Sequence, residues 1–286
     1  MSELQTLAIK SVKHLCAVLM TTQKELDELV KNREKYYYLK KKVKLDKKGQ
    51  PKRDEEGNIV YRELNPSEGR LKEIQEVIRH RILLKIPMPA NITGGVKGSS
   101  NIANARAHLG KKFKFKTDMK RYYPSITPER IYKLFKDHGF APKCCTYLTH
   151  LTTYKHELPQ GTPTGPDIAN RVFLSQDYKV IRYCKKYGIT YTRYIDDLVF
   201  SCPNDFRQHC VPLVSFITEV GFSISIKKTL YRAGTMEITG VDVKNNVLDV
   251  NDYFKLLISD DSIPAKITNG RRAYYKQVRK KHITKK

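Results

Sequence analysis

The stretch Tyr191-Thr192-Arg193-Tyr194-Ile195-Asp196-Asp197-Leu198-Val199-Phe200-Ser201 sets two adjacent carboxylates between two runs of strand-forming residues. The aromatic and β-branched flanks read as the arms of a hairpin with Asp196-Asp197 at its apex. A pair of aspartates in a turn is by itself ordinary turn chemistry. Here the apolar flanks draw the turn toward a core, where two unscreened carboxylates repel each other unless a cation neutralises them. Oxygen-only ligands with room for phosphate and water suit magnesium rather than zinc. A third carboxylate, Asp118, closes the alternating segment Lys112–Met119, which reads as a strand. A strand-terminal aspartate far upstream of an Asp-Asp hairpin fits a two-metal phosphoryl-transfer site, whose carboxylates hold two ions about 3.5–4 Å apart.

The charge balance points to the same chemistry. Against 54 Lys+Arg stand 29 Asp+Glu, a net charge of +25 over 286 residues. A field of that size concentrates polyanions at the surface and makes nucleic acid the leading partner class. A membrane is the competing polyanionic surface, but no apolar run approaches the roughly 18 residues of a spanning helix. The longest early run, Leu15–Met20, is too short, and Met1-Ser2-Glu3 is not the basic start of a signal peptide. The expectation is a cytoplasmic protein. The six cysteines form no C-x-x-C pair and have no histidine at zinc-ligand spacing, so they read as reduced and structural.

Along the chain, apolar residues from Leu4 and Leu7 to Leu29 recur at threes and fours, predicting one or two amphipathic helices up to about Asn32, with Ile9 off the stripe. A lysine-rich segment follows, with Lys40, Lys41, Lys42, Lys44, Lys47, Lys48, Lys52 and Arg53. Turn signals at Asp46–Pro51 and Glu55–Asn58, flanked by alternation, read as a basic β-hairpin. Helices are expected over Ser67–Leu84, Ile102–His108, from Thr127-Pro128-Glu129 to Gly139, over Pro166–Tyr187 and over much of Ser201–Val220. Phe222–Val243 reads as strands.

The spacing of these elements resembles a known family. Tyr194-Ile195-Asp196-Asp197 is similar to the Y-x-D-D box of reverse transcriptases. Asp118 with Tyr123-Pro124 resembles the family's motif A, and Leu158-Pro159-Gln160-Gly161-Thr162-Pro163-Thr164-Gly165-Pro166 resembles motif B. The three lie in the family's order. Asn104-Ala105-Arg106-Ala107-His108 and Ile238-Thr239-Gly240 resemble the N-A-x-x-H and V-T-G elements of the retron type. Gly165 stands where motif B usually has serine, and Ile195 where retron boxes usually have alanine; neither change removes a metal ligand.

The resemblance implies roles residue by residue. Asp118, Asp196 and Asp197 match the catalytic carboxylates, with Met119 beside them in the metal-binding set, and Lys228 matches the lysine held to protonate the leaving pyrophosphate. Tyr123 matches the aromatic under the incoming sugar, and Gln160 and Gly161 the loop that touches the nucleotide. Arg62 matches the fingers arginine on the triphosphate, with Lys52 and Arg53 assisting. For these last three, exposed charge on a nucleic-acid-facing loop explains the residues as well. RNA contacts are implied for Asn104, His108, Ile238, Thr239 and Gly240, and for Arg271, Arg272, Lys276 and Arg279 of a basic segment that resembles a thumb helix.

The implied fold is α+β, a right-hand polymerase. Residues 1–112 would form the N-terminal helices and fingers, 113–243 a palm with an antiparallel sheet backed by helices, and 244–286 a reduced, basic thumb. The implied reaction is RNA-directed DNA synthesis with two magnesium ions, manganese being the substitute, and deoxynucleoside triphosphates. The retron resemblance further implies a structured noncoding RNA as template and primer, a branched RNA–DNA product, antiphage defence and an effector protein as partner. Another bacterial defence-associated or group II intron-like reverse transcriptase is the rival enzyme. An RNA-binding protein with a dead polymerase fold is the rival of another class, although such a binder gains nothing from clustered anions at its nucleic-acid face.

Overall fold

The computed structural model describes residues 8–46, 49–260 and 264–280. Leu4, Leu7, Lys47 and Lys48 therefore lie outside the described residues. In chain order the helices are α1 (Val12–Leu19), α2 (Gln23–Asn32), α3 (Gly69–Arg81), α4 (Asn101–Arg106), α5 (Tyr122–Ser125), α6 (Pro128–Asp137), α7 (Pro142–Thr152), α8 (Gly165–Val172), α9 (Leu174–Lys186), α10 (Cys210–Thr218), α11 (Asp252–Ser259) and α12 (Ala265–Arg279). The strands are β1 (Lys40–Val43), β2 (Tyr61–Leu64), β3 (Phe113–Asp118), β4 (Thr190–Tyr194), β5 (Asp197–Cys202), β6 (Leu230–Ala233), β7 (Met236–Ile238), β8 (Val241–Lys244) and β9 (Val247–Asp249). The chain gathers into two compact units, one from residues up to Pro89 with Arg121–Ser175, the other from Ala90–Lys120 with Gln176 onward.

The first unit is helical and carries the basic hairpin. Ser11 and Thr22 cap α1 and α2 by accepting from the backbone N–H three residues on, as short hydroxyl side chains do at helix starts. Leu15, Leu19, Leu26 and Leu29 turn inward, and so does Ile9, against the expectation that it lies off the stripe. Its carbonyl accepts from Ala141 at the start of α7. β1 and β2 pair antiparallel, Lys42 opposite Arg62, and bridges at Leu45–Pro51 and Arg53–Ile59 extend the hairpin outward. Thr127 is the residue before α6, but its hydroxyl makes no backbone cap. Proline in the first turn starts that helix instead. The single helix expected over Pro166–Tyr187 is two, α8 and α9, broken at Phe173.

The second unit is built on the antiparallel sheet β4-β5-β3-β6. Strand β3 alternates because Phe115 stacks on Phe200 of β5, which stacks in turn on Tyr191 of β4, at 5.8 and 5.0 Å between centroids. On the opposite face Lys114 is fully buried, its ammonium donating to the carbonyls of Lys111 and Gly234. The small sheet β7-β8-β9 packs α4 and α12 around Ile102, Ile238, Val241, Val243 and Val278. The helix expected over Ser201–Val220 is short, because β5 runs to Cys202 and α10 starts only at Cys210. Five cysteines (Cys16, Cys144, Cys145, Cys184, Cys202) are buried, Cys210 is half-buried, and all six are unpaired thiols. No helix among the described residues is long and apolar enough to cross a membrane.

Candidate active site

Sheet register brings the three aspartates together. Asp118 ends β3 directly opposite Asp197 at the start of β5, and Tyr194 pairs with Asp197 across a two-residue turn. The turn is Ile195-Asp196, one residue earlier than the expected Asp196-Asp197 apex, with Ile195 in the left-handed region at φ 60°. The Met119 N–H donates to the Asp196 carbonyl at 2.9 Å, which ties the turn to the end of β3. One carboxylate oxygen from each of Asp118, Asp196 and Asp197 lies within 4.8 Å of the others.

Like charges placed directly opposite on neighbouring strands destabilise a sheet unless something neutralises them. The electrostatics register that conflict: burial, then the charges of Asp196 and Asp118, push the Asp197 carboxyl up to about 7. Lys228 supplies partial relief, with Nζ 2.7 Å from Asp118 Oδ2. Burial works to lower the Lys228 pKa, but the hydrogen bond and charge of Asp118 outweigh it and the net shift is upward. A single ammonium does not balance three carboxylates. The oxygen-only donor set, converging within 4.8 Å, fits a hard divalent cation.

The other expected site residues fall into distinct settings. In the second unit, Asn104, His108 and Ile238 were expected on RNA but are buried. Asn104 accepts from the Thr93 hydroxyl and donates to Thr239 Oγ1. His108 bridges Ser201 of β5 and Thr192 of β4 at 2.7 and 2.8 Å. Burial, with Lys114 and Lys111 nearby, depresses its pKa to about 3, so the ring is neutral. Ile238 sits in the core of the small sheet. His108 thereby ties β4 to β5, and Asn104 ties Thr93 to Thr239. Thr239 and Gly240 form the β7–β8 turn, both at positive φ, with Gly240 exposed. Arg272, Lys276 and Arg279 are exposed on α12, and Arg271 is half-buried.

In the first unit, Arg62, Lys52 and Arg53 are exposed on the hairpin, Arg53 donating to the Gly57 carbonyl. The Gln160 carbonyl accepts from the Asn65 N–H just beyond β2. Gly161 has φ +98° and stands against Pro66, where a side chain is strained. Tyr123 is half-buried, and a Cβ on Gly165 would lie 3.4 Å from its ring. Beneath this loop Asp167 receives Arg79 and Arg171 at 2.7 and 2.9 Å.

Residues 46–243 match the model of the family Reverse transcriptase (RNA-dependent DNA polymerase). The chain is 32% identical over 193 residues to the Retron Ec86 reverse transcriptase of Escherichia coli, covering 65% of this chain and 56% of that protein. It is 28% identical over 250 residues to the Retron Se72 reverse transcriptase of Salmonella heidelberg (strain 579083-10), covering 84% and 63%. The chain thus spans about half to two thirds of the length of these curated relatives. Among solved structures, telomerase from Candida albicans in complex with a fragment of telomeric RNA superposes with a TM-score of 0.51 at 14% identity, over 83% of this chain and 54% of that one. That likeness shows the fold, a right-hand polymerase of mixed helices and antiparallel sheets. With the family model matching residues 46–243, which include all three aspartates, the chain belongs to the reverse transcriptase family.

Proposed function

We propose that the protein is an RNA-directed DNA polymerase whose catalytic centre is Asp118, Asp196 and Asp197. The observation that carries this reading is the convergence of the three carboxylates within 4.8 Å at the end of a polymerase-like sheet. Asp118 and Asp196 would hold two magnesium ions directly, with Asp197 completing the negative pocket. Bound there, the ions supply activation of a primer hydroxyl and neutralisation of the leaving pyrophosphate. Lys228, which is hydrogen-bonded to Asp118, donates the proton that the pyrophosphate takes as it leaves. Tyr123, Gln160 and Gly161 bind the deoxynucleotide, and Arg62 with Lys52 and Arg53 grips its triphosphate. In this reading the fingers come from residues up to about 112, the palm from 113–243 and a basic thumb from 244 onward.

The finer reading follows the retron relatives. The template is a structured noncoding RNA that also provides the priming 2′-hydroxyl, the product is branched RNA–DNA, and the cellular role is antiphage defence in the cytoplasm beside an effector protein. Exposed Gly240 and the exposed α12 cations Arg272, Lys276 and Arg279 are the surfaces that favour such an RNA. The test is single-nucleotide primer extension on an RNA template. The wild-type chain extends with magnesium, and Asp196→Asn is slower by about 10⁴-fold, ~5 kcal/mol of transition-state stabilisation. Equal rates for the two proteins would discard the assignment. Sequencing of copurifying nucleic acid decides the finer reading, since a linear product without a branch excludes 2′-priming.

A further inference from the structure

Beneath the carboxylate turn lies a charged side chain for which the reaction above has no role. Arg193 is 0% exposed. Its Nε and Nη2 donate to the two oxygens of equally buried Asp177, at 2.9 and 2.6 Å, and Nη1 donates to the Ile195 carbonyl at 2.8 Å. The Tyr191 hydroxyl also donates to Asp177. Ile195 is the residue in the left-handed conformation, which β-branched side chains rarely adopt unless held.

The same strand is gripped on its other edge. The Arg193 N–H donates to the Asn91 carbonyl, and the Thr93 N–H and hydroxyl both donate to the Arg193 carbonyl. Gly94 then runs so close to the turn that an added Cβ would lie 2.6 Å from the Ile195 nitrogen and 2.7 Å from the Tyr194 carbonyl carbon. Those are backbone atoms, which cannot swing aside as a side chain can.

We propose that Arg193 is a positioning residue for the metal-binding carboxylates: clamped on Asp177, its guanidinium holds the Ile195 carbonyl and so keeps the turn aimed at Asp118. The proposal rests on the polymerase reading above. Arginine suits the task because its planar fork can grip a carboxylate with two donors and still direct a third elsewhere. A lysine is a point charge and cannot reach both partners in that geometry. Gly94 contributes from the opposite side by leaving room for the turn backbone.

The test uses the full chain in three variants: Arg193→Lys, the double change Arg193→Met with Asp177→Asn, and Gly94→Ala. The double change removes both charges, so no lone charge is left buried. Folding is checked by circular dichroism, metal affinity by manganese titration under electron paramagnetic resonance, and catalysis by the magnesium dependence of single-nucleotide extension. The expected result is a folded protein whose manganese affinity falls roughly 10- to 100-fold, the range seen when groups supporting metal ligands are removed. Extra magnesium then restores part of the rate, and KM for the deoxynucleotide at saturating metal stays put. A merely structural residue would lower the folded fraction without moving metal affinity per folded molecule. Wild-type manganese affinity in every variant that folds overturns the proposal. If instead the wild-type chain binds no manganese that Asp196→Asn removes, it is the polymerase reading that fails, and the proposal with it.

Discussion

Around the Ile195-Asp196 turn Arg193 and Lys228 are each hydrogen-bonded to a neighbour, whereas on the β1–β2 hairpin Lys40, Lys41, Lys42, Lys52 and Arg62 stand exposed. The contrast follows from what each charge has to do. Holding two cations at a fixed spacing tolerates errors of tenths of an ångström, so the carboxylates sit on paired strands over a buried ion pair. Attracting a phosphate backbone works across a Debye length of about 8–10 Å, so the hairpin needs number and sign more than fixed rotamers. Order is concentrated where geometry is the product, and left out where the field alone suffices.

The sharpest way to break this contrast is to remove one partner of the interior pair. Asp177→Leu leaves the Arg193 guanidinium buried without its carboxylate, and the expected cost is about 3–5 kcal/mol of stability. Urea denaturation measures it, and an unchanged midpoint would mean that the interior pair contributes no order to the turn.

A second experiment probes the interior by acid. His108 joins the two arms of the carboxylate hairpin and titrates near 3 in the folded chain, against about 6.5 when unfolded. Between those values the unfolded chain binds a proton that the folded chain refuses. The contribution of His108 is therefore complete above about 6.5 and declines as pH falls toward 3, by up to about 1.4 kcal/mol per pH unit. Urea melts across this window should show a shallower decline for His108→Gln; parallel curves would remove His108 from the account.

The smallest expected effect on the fold belongs to the hairpin. Replacing Lys52, Arg53 and Arg62 together by alanine leaves the melting temperature nearly unchanged, as exposed substitutions do. The salt slope of nucleic-acid binding falls by about 0.9 for each duplex phosphate that the protein no longer neutralises. Fluorescence anisotropy over a range of potassium chloride reads it. A large drop in stability with an unaltered slope would reverse the comparison.

The two regions also differ in how far they could be read from residues alone. The hairpin was legible because lysines and turn formers are local signals, and the aspartates because their spacing matches a family pattern. Register corrected the apex by one residue: with Tyr194 opposite Asp197, only Ile195 and Asp196 remain for the turn. Arg193 went unread because β4 is buried on both faces, so alternation carries no information there, and its partner Asp177 lies on a different element. Helix α7 was missed, since the cysteines and threonines of Pro142–Thr152 make no clear apolar stripe. Asn104 and His108 are legible as a motif, but their burial is not. A motif marks which residues matter without saying whether they face a ligand or the interior.

The cysteines carry a last consequence. Thiols react as thiolates, and burial raises the pKa of Cys184 to about 12 and that of half-buried Cys210 to about 11. Cys16, Cys144 and Cys145 are shifted upward too, burial being the largest cause in each. Thiol-directed reagents therefore find little to attack in the native chain, and loss of activity to such reagents would report unfolding rather than chemistry at the site.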